Sequence, residues 1–303
     1  MGAYFVVVPP SPRIPRFVPG PLPDTGHGVD DLARLLDGRR TLVLTGAGIS
    51  TDSGIPDYRG PGGDRRVDPI LFQEFRRDSS TRARYWARAF AGWLRFAGAR
   101  PNPAHHALAA LQSRGRVGTV ITQNVDGLHQ AAGTRDVIEL HGTLERVVCL
   151  TCGQRVRRAA VNDAIAEGNP GFAREAAGWA ADRRVRPDGD VDLPARALAG
   201  FRAPTCPACG DDTLKPDVVF FGDSVPPERV TACVEALDRA EALLVLGSSL
   251  AVYSGFRFVR AAAEAGKPVA IVTRGGTRGD HLADVRLDAG LADAVPGLAV
   301  ALG

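Results

Sequence analysis

The residues best suited to chemistry follow the apolar stretch Leu42–Leu44, where the chain reads Thr45-Gly46-Ala47-Gly48. A buried strand that ends in Gly-x-Gly lets the backbone approach a pyrophosphate, and free N–H groups at the next helix start can bind its charge. The dehydrogenase fingerprint would add a glycine at position 51, where Thr51 stands, and an acidic residue after a second strand. The pattern predicts a dinucleotide site without hydride transfer, with an ordinary tight turn as the alternative.

Four of the five cysteines form two Cys-x-x-Cys pairs, each followed by glycine, at Cys149, Cys152, Cys206 and Cys209. Two such pairs supply the four thiolates of a tetrahedral zinc site, and four protein ligands leave no position for a reactive water. The spacing therefore predicts a structural zinc. A redox dithiol and a nucleic-acid-binding zinc ribbon, the latter favoured by Arg155, Arg157 and Arg158, stay as alternatives. Cys233 fits a buried position of a helix.

Polar residues follow two further predicted strands. The run Gln123-Asn124-Val125-Asp126 comes after Val117–Thr122, and His141 comes after Val137–Leu140. Ligands of α/β sheets bind at the carboxyl ends of the strands. Asn124 and Asp126 would point to one face of an extended segment, suited to a ribose and a carboxamide, or would cap the next helix. His141 is a candidate general base, since an unperturbed pKa of about 6.5 suits neutral pH, or a structural histidine.

Two weaker signals accompany these residues. Gly247-Ser248-Ser249 ends the predicted strand Ala242–Leu246, and glycine-serine turns of this type bind phosphate or ribose oxygens. His129 lies in a predicted helix, where it is a core residue or a residue that orients Asp126.

These segments require a sheet whose strands end at one edge. Strands predicted at Thr41–Leu44, Val117–Thr122, Val137–Leu140, Val218–Phe221, Ala242–Leu246 and Val269–Val272 alternate with helices. The alternation predicts an α/β fold, a Rossmann-like parallel sheet with helices on both faces, into which a zinc ribbon and a helical module are inserted. We expect the nucleotide-binding domain at 28–145 and 211–303, its helical insertion at about 61–100, the zinc domain at 146–210 and a flexible proline-rich arm at 1–27.

Composition narrows the class of protein. The chain has 303 residues, of which 45% are hydrophobic, enough to fill a large core. Its net charge of +3 is too balanced to indicate nucleic-acid binding by itself. No run approaches the length of about 18 apolar residues that crosses a membrane. We expect a cytoplasmic protein without a membrane partner, with nucleic acid not among its partners, and a monomer.

The glycine loop, Gln123–Asp126, Glu139-Leu140-His141-Gly142, the paired cysteines and Gly247-Ser248-Ser249, in this order, closely resemble the sirtuins, NAD-dependent protein deacylases. The resemblance covers roughly residues 30–300. Four further segments are similar to class II sirtuins, the branch of mitochondrial sirtuin four and bacterial relatives: Tyr85–Arg88, Pro101–His105, Pro187–Asp190 and Lys215–Asp223.

The resemblance implies that NAD is a consumed substrate and that an acyl-lysine peptide or protein is the partner. His141 would deprotonate a ribose hydroxyl, with Asn124 as the second catalytic residue, and the acyl group would pass to ADP-ribose. The resemblance assigns NAD binding to Gly46, Ala47, Gly48, Asp57, Tyr58, Arg59, Gln123, Asn124, Val125, Asp126, Gly247, Ser248, Ser249, Thr273, Arg274, Gly275 and Leu291. It assigns binding of the substrate peptide to a segment that would pair with the peptide backbone as a strand. This segment consists of Val218, Val219, Phe220, Phe221 and Gly222.

Two departures from the family pattern concern specificity. Thr273 stands where sirtuins usually carry an asparagine that binds the adenosine ribose, and Tyr58 stands where many deacetylases of the main branch have phenylalanine. The resemblance therefore predicts an altered adenosine contact and a different acyl preference. Mono-ADP-ribosyl transfer to protein and a non-catalytic NAD or ADP-ribose sensor are the alternative functions.

Overall fold

The computed structural model describes residues 26–58, 69–181 and 186–303. Arg59 and most of the predicted arm lie outside these ranges. In chain order the elements are α1 (Val29–Leu36), β1 (Thr41–Thr45), α2 (Phe72–Arg77), α3 (Ser79–Ala97), α4 (Pro103–Ser113), β2 (Val117–Thr122), α5 (Leu128–Ala131), β3 (Val137–Glu139), β4 (Gly142–Cys149), β5 (Arg155–Arg157), α6 (Arg158–Gly168), α7 (Pro170–Ala181), α8 (Ala195–Leu198), β6 (Leu214–Val218), α9 (Pro227–Arg239), β7 (Ala242–Leu246), α10 (Tyr253–Glu264), β8 (Val269–Val272), β9 (Val285–Leu287) and α11 (Leu291–Ala301).

Six parallel strands form the main sheet in the order β3-β2-β1-β7-β8-β9. With the segment between β3 and β7 set aside, this is the doubly wound order of dinucleotide-binding folds. The direction of winding reverses between β1 and β7, so a crevice opens at their carboxyl ends. The predicted fold class is confirmed.

The sheet is covered on both faces, which explains why its central strands are apolar without interruption. Along β7, Leu244 faces a core formed with α1, α4 and α11, whereas Leu243 and Val245 face a core formed with α9 and α10. All five residues of β1 and of β7 are buried. The strand β9 was not predicted, because it is three residues long and centred on Arg286, a buried residue whose charge pairs with Asp280 at 2.9 Å.

The second sheet has three antiparallel strands in the order β5-β4-β6. The prediction of a parallel strand at Val218–Phe221 is wrong in both its bounds and its pairing. The observed strand, β6, ends at Val218 and pairs antiparallel with β4 in the small sheet. After the second cysteine pair, the chain returns along β4 before it reaches the main sheet. The strands of this small sheet lie between Gly142 and Val218, so they extend beyond the zinc domain predicted at 146–210. The division of the chain into domains stays a prediction.

The helices α2 and α3 lie within the predicted helical insertion and pack onto the small sheet. Trp86 of α3 is fully buried, and its indole N–H donates to the carbonyl of Leu214 at 2.9 Å. The guanidinium of Arg158 lies over the same ring at 5.0 Å and over Trp93 at 4.5 Å. These contacts join α3 to β6 and α6. Among the described helices, we find none with the length and apolar character needed to cross a membrane.

Replacement of Gly247 by alanine is expected to lower the free energy of unfolding by about 2 to 5 kcal/mol. Gly247 has a φ of +63°, and an added Cβ would lie 2.5 Å from the backbone N of Ile49. The matched control is Gly178→Ala in α7, where an added Cβ meets nothing within 4 Å and a gain of up to about 1 kcal/mol is expected. Chemical denaturation measures both. Equal stability of the two variants would contradict the close contact between the turns that follow β1 and β7.

Candidate active site

A cavity of about 900 Å³ opens at the carboxyl ends of the central strands. Most of the predicted site residues line it: Gly46, Ala47, Gly48, Asp57, Tyr58, Gln123, Asn124, Val125, His141, Val218, Val219, Phe220, Phe221, Gly222, Gly247, Ser248, Ser249, Thr273, Arg274 and Leu291. Among the described residues predicted to bind NAD or the peptide, two do not. Asp126 lies behind Ser50 and Asn124, and Gly275 bonds Asp288 and Arg286 through its backbone. The sheet order therefore gathers segments that are far apart in the sequence.

The crevice between β1 and β7 is formed by backbone contact between two glycine turns. An added Cβ at Gly46 would lie 2.8 Å from the Cβ of Ser248, and one at Gly48 would lie 2.8 Å from the carbonyl O of Gly247. The chain can pass this closely only without side chains at these positions. This bare backbone surface leaves room for a ligand at the switch point of the sheet.

The predicted helix directly after this glycine turn is wrong. Two short 3-10 turns, Ala47–Ile49 and Thr51–Ser53, stand in its place, because Gly54 with a φ of +84° and Pro56 prevent a longer helix. The N–H groups of Gly46 and Gly48 donate to the carbonyl groups of Leu246 and Gly247. These two N–H groups therefore hold the turn together and are not available to bind a ligand.

Ser50 joins the two polar residues after β2. Its hydroxyl donates to Oδ2 of Asp126 at 2.7 Å and accepts from Nδ2 of Asn124 at 3.0 Å. The second oxygen of Asp126 accepts from the N–H of Leu128, and burial raises the pKa of this carboxyl. The network fixes the Asn124 amide at the cavity wall. Sequence analysis did not identify Ser50, although its place just after Gly-x-Gly was the available signal.

The variant Ser50→Ala is expected to weaken NAD binding by about tenfold to a hundredfold. Removal of the hydroxyl leaves a buried carboxylate oxygen and the amide of Asn124 each without its partner. Isothermal titration calorimetry with NAD measures the change. Ser113→Ala serves as the control, because its exposed hydroxyl bonds only the carbonyl of Ala110 in the described chain. Unchanged affinity of Ser50→Ala would show that the network does not position the NAD contacts.

His141 follows β3 and is held through both ring nitrogens. Nδ1 lies 3.0 Å from the carbonyl O of Gln123, and Nε2 lies 2.8 Å from the hydroxyl of Ser254. A carbonyl can only accept, so Nδ1 carries the proton and the lone pair on Nε2 accepts from Ser254. Burial lowers the pKa of His141 to about 4, with a smaller contribution from the charge of Arg229. The imidazole is therefore neutral at physiological pH, with Nε2 as its basic atom.

His129 does not orient Asp126. Its Nε2 lies 2.9 Å from the hydroxyl of Thr45, and that hydroxyl donates to Thr122 at 2.9 Å. Thr122 in turn accepts from the backbone N–H of Asn124 at 3.1 Å. His129 is thus connected to the backbone of Asn124 by a chain of hydrogen bonds through Thr45 of β1 and Thr122 of β2.

Gln123 lines the cavity and contacts the second glycine turn. Its side-chain amide donates to the hydroxyl of Ser248 at 2.7 Å. Gly255 leaves the space for this amide, because an added Cβ would lie 2.8 Å from its oxygen. The contact links the end of β2 to the end of β7 across β1.

Thr273 and Arg274 follow β8 at the other side of the cavity, and Leu291 begins α11 beside them. Four strand spacings separate β8 from β3 in the sheet order, which amounts to about 19 Å. His141 and Thr273 therefore mark opposite ends of an elongated site, with the glycine crevice between them.

The segment after β6 runs along the cavity. The N–H of Val219 donates to the carbonyl of His141 at 2.9 Å, and the carbonyl of Phe221 accepts from the N–H of Phe72 at 2.9 Å. The ring of Phe221 packs edge-on against Tyr58 with centroids 5.8 Å apart. Some of the backbone groups predicted to pair with a peptide are thus already used inside the protein.

The four paired cysteines converge at one end of the small sheet. Their Sγ atoms all lie within 4.8 Å of one another, and the pairs Cys149–Cys209 and Cys152–Cys206 are 3.7 Å apart. Tetrahedral ligation with Zn–S bonds of about 2.3 Å requires sulfur atoms about 3.8 Å apart. The donor set and its spacing fit a zinc ion that has protein ligands only.

The residues that sequence analysis missed come from four separate segments. Ser50 and Ser254 hold Asn124 and His141, and Tyr85, Asp188 and Asp190 form a further part of the cavity wall. Ser254 carries no recognisable motif and is 113 residues from its partner. Tyr85 and the Asp188–Asp190 segment were noticed only as class II features.

Comparisons with known proteins identify the family of the chain. Residues 46–254 match the profile described as the Sir2 family. NAD-dependent protein deacetylase 1 of Streptomyces coelicolor is 52% identical over 284 residues, covering 92% of this chain and 93% of that protein. The NAD-dependent protein deacetylase of Xanthomonas campestris is 53% identical over 258 residues, covering 85% and 86%. A solved structure described as "Sir2-p53 peptide-NAD+" superposes with a TM-score of 0.70 at 30% identity, covering 89% of this chain and 96% of that chain. The chain belongs to the Sir2 family.

Proposed function

We propose that the protein is an NAD-dependent protein-lysine deacetylase. The observation that carries this function is a neutral imidazole, His141, whose basic Nε2 lies in one cavity with the Asn124 amide and the paired glycine turns. The similar proteins from Streptomyces and Xanthomonas are named for this activity. No other residue set in the described chain combines a base with a dinucleotide crevice.

NAD fits the cavity as a substrate. Gly46, Gly48 and Gly247 provide a bare backbone surface for the pyrophosphate at the switch point of the sheet. Thr273, Arg274 and Leu291 would hold the adenosine. Gln123 and Asn124 would hold the nicotinamide ribose and carboxamide, and Asp126 would support Asn124 through the Ser50 hydroxyl. When bound, NAD supplies the glycosidic bond that is cleaved and the ribose hydroxyl that accepts the acyl group.

His141 would act as general base on that ribose hydroxyl. Nε2 has a free lone pair once Ser254 turns its hydroxyl away, and the Nδ1–H bond to the Gln123 carbonyl keeps the ring in this tautomer. The same bond would stabilise the imidazolium that forms when the proton arrives. Asn124 is fixed by Ser50 and would orient the reacting ribose beside the acyl oxygen. Nicotinamide, O-acyl-ADP-ribose and free lysine would be the products.

An extended acyl-lysine peptide would bind along Val218–Gly222. This segment lines the cavity beside His141, and its remaining backbone groups would pair with a peptide backbone as in a sheet. The N–H of Val219 and the carbonyl of Phe221 already have partners within the protein. Two solved relatives contain a p53 peptide and a myristoylated histone peptide, at 30% and 27% identity. We extend peptide binding of this kind to the present chain, together with a cytoplasmic location and a monomeric state.

The zinc site would be structural. Cys149 and Cys206 are 1% and 2% exposed and belong to a core that also contains Tyr85 and Trp86. The ion would therefore fix the core on which one wall of the cavity rests, and it would supply no reactive water.

The direct test incubates the protein with an acetyl-lysine peptide, with and without NAD, and follows peptide mass and nicotinamide. NAD-dependent loss of the acetyl group with equal release of nicotinamide and O-acetyl-ADP-ribose is expected. Labelled NAD distinguishes the alternatives: label bound to protein would indicate ADP-ribosyl transfer, and tight NAD binding without nicotinamide release would indicate a sensor. Either result without deacetylation would overturn the proposal.

A further inference from the structure

The cavity wall near His141 carries an arginine that no described acid neutralises. Arg257 of α10 lines the cavity, and its guanidinium lies 5.3 Å from the ring centre of Tyr253. Its buried Nε has no hydrogen-bond acceptor among the described residues, and none of the ion pairs between those residues includes it. Buried donors are almost always paired, so this guanidinium is suited to an anionic group from outside the described chain.

Arg257 lies one helical turn from the residue that contacts the proposed general base. The hydroxyl of Ser254, in the first turn of α10, is 2.8 Å from Nε2 of His141. Residues three positions apart on a helix share a face, with Cβ atoms about 5 to 6 Å apart. Ser254 and Arg257 both line the cavity, so the charge of Arg257 acts on the same side of the site as the His141 ring.

The path proposed for the substrate peptide passes this charge. The backbone carbonyl of His141 accepts from the N–H of Val219 at 2.9 Å, whereas its ring contacts Ser254. The segment Val218–Gly222 and the first turn of α10 therefore flank His141 on two sides. Three residues of an extended peptide span about 10 Å, so the residues next to an acyl-lysine that enters beside His141 come within reach of Arg257.

A second arginine extends the positive charge along the same edge. Arg278 is exposed, and its guanidinium lies 4.6 Å from the ring centre of Phe256, which packs edge-on against Tyr253. Its backbone N–H donates to the carbonyl of Ser249, a residue of the cavity wall, at 3.0 Å. Stacking on a ring orients a guanidinium and leaves its N–H edge free for a carboxylate. We call Arg257, Arg278 and these two rings the arginine surface.

The neighbouring acids leave the arginine surface positive. Glu264 pairs with Arg260 at 3.2 Å, and Asp280 pairs with Arg286 at 2.9 Å. Asp223 lines the cavity beyond the peptide-binding segment and accepts from the N–H of Ser224, but in the described chain no ion pair joins it to the arginine surface. Complementary charge across an interface selects partners, so this field favours an acidic segment and repels a basic one.

We propose that the arginine surface binds acidic residues that flank the acyl-lysine of the substrate. The partner class is thus a protein segment in which aspartate or glutamate lies within about three residues of the modified lysine. A lysine or arginine at the same positions would be repelled. This inference rests on the proposed deacetylase function, since it names the substrates of that same site.

The test compares three fluorescent acetyl-lysine peptides that differ only in the two residues on each side of the acetyl-lysine, which are glutamate, glutamine or lysine. Fluorescence anisotropy without NAD measures affinity, and turnover with NAD measures kcat/KM. The wild type is expected to bind the glutamate peptide about fivefold to tenfold more tightly than the glutamine peptide, and the lysine peptide most weakly. Salt at about 0.5 M should reduce these ratios, because the charges are partly exposed.

Substitutions at Arg257 test whether the preference arises there. In Arg257→Gln the ratio of glutamate to glutamine affinity should fall below about twofold, and in Arg257→Glu the lysine peptide should bind more tightly than the glutamate peptide. Loss of packing alone would not reverse the order. Arg260→Gln is the matched control, because Arg260 lies one turn further along α10, is already paired with Glu264 and is outside the described cavity wall. Its ratios should equal those of the wild type.

Binding and turnover together separate this inference from the proposed function. If no peptide is deacetylated but the glutamate peptide binds most tightly through Arg257, deacetylation fails and the arginine surface stands. If the peptides are deacetylated but the wild type binds glutamate and glutamine peptides equally, or Arg257→Gln keeps the wild-type ratio, the arginine surface is wrong and the deacetylase function stands. The wild-type peptide series and its salt dependence decide the matter even where a variant does not fold.

Discussion

His141→Ala is expected to lower kcat/KM for NAD-dependent deacetylation by about 10²- to 10⁴-fold. The variant removes Nε2, the only basic ring nitrogen that the described part of the cavity wall offers. Ser254 lies in reach of the same position, but an unassisted hydroxyl is far too weak a base to replace the imidazole. Mass spectrometry of an acetylated peptide under single-turnover conditions measures the loss.

The control for this variant is His106→Ala. His106 lies on the exposed face of α4 and does not line the cavity in the described structure. Its activity should equal that of the wild type, and both variants should keep the wild-type melting temperature within a few degrees. Turnover by His141→Ala within tenfold of the control would mean that another group takes the proton.

The pH dependence provides an independent check on the same residue. Burial lowers the pKa of His141 from its ordinary value to about 4 in the free protein. A base is lost on protonation, so a lowered pKa moves that loss to lower pH. The acid limb of kcat/KM due to His141 is thus expected near pH 4, and kcat/KM should not fall through this group between pH 8 and pH 6. A limb near pH 6.5 would indicate a solvated imidazole.

The crevice could be predicted from the sequence because its determinants are local. Gly46 and Gly247 each end a continuous apolar run, and such runs are typical of strands buried on both faces. The position of His141 after a short strand likewise followed from the pattern. The cysteine pairs were equally clear, since their spacing defines a donor set without reference to the rest of the chain.

The hydrogen bonds that hold these residues in position in the site could not be predicted from the sequence. Ser254 reaches His141 only because α10 begins beside the end of β3, and that depends on the order of strands in the sheet. Val218–Phe221 was assigned to the wrong sheet for a related reason. An apolar run shows that a strand is buried, but it does not show which neighbour it pairs with, and the antiparallel return along β4 decided the pairing.

Cys206→Ala is expected to abolish zinc binding and to unfold the small sheet. Structural zinc contributes about 10 to 16 kcal/mol in small zinc domains, far more than the core of a three-stranded sheet can replace. Cys149 and Cys206 share that core with Phe75, Tyr85 and Trp86, and Phe220 packs on it. The cavity wall formed by Tyr85 and Phe220 would therefore lose its support, so deacetylation should fall below detection although no cysteine lines the cavity.

Cys233→Ala is the matched control, because it removes a sulfur that is equally buried but lies in the core beneath α9 and α10. It should keep one zinc per chain, measured by plasma mass spectrometry, and lose about 1 kcal/mol of stability. The difference between the two variants isolates the metal from the loss of a buried side chain. Limited proteolysis should then cut Cys206→Ala between residues 142 and 218 and leave the parallel sheet intact. One zinc per chain in Cys206→Ala, with the melting temperature of the control, would contradict the four-cysteine site.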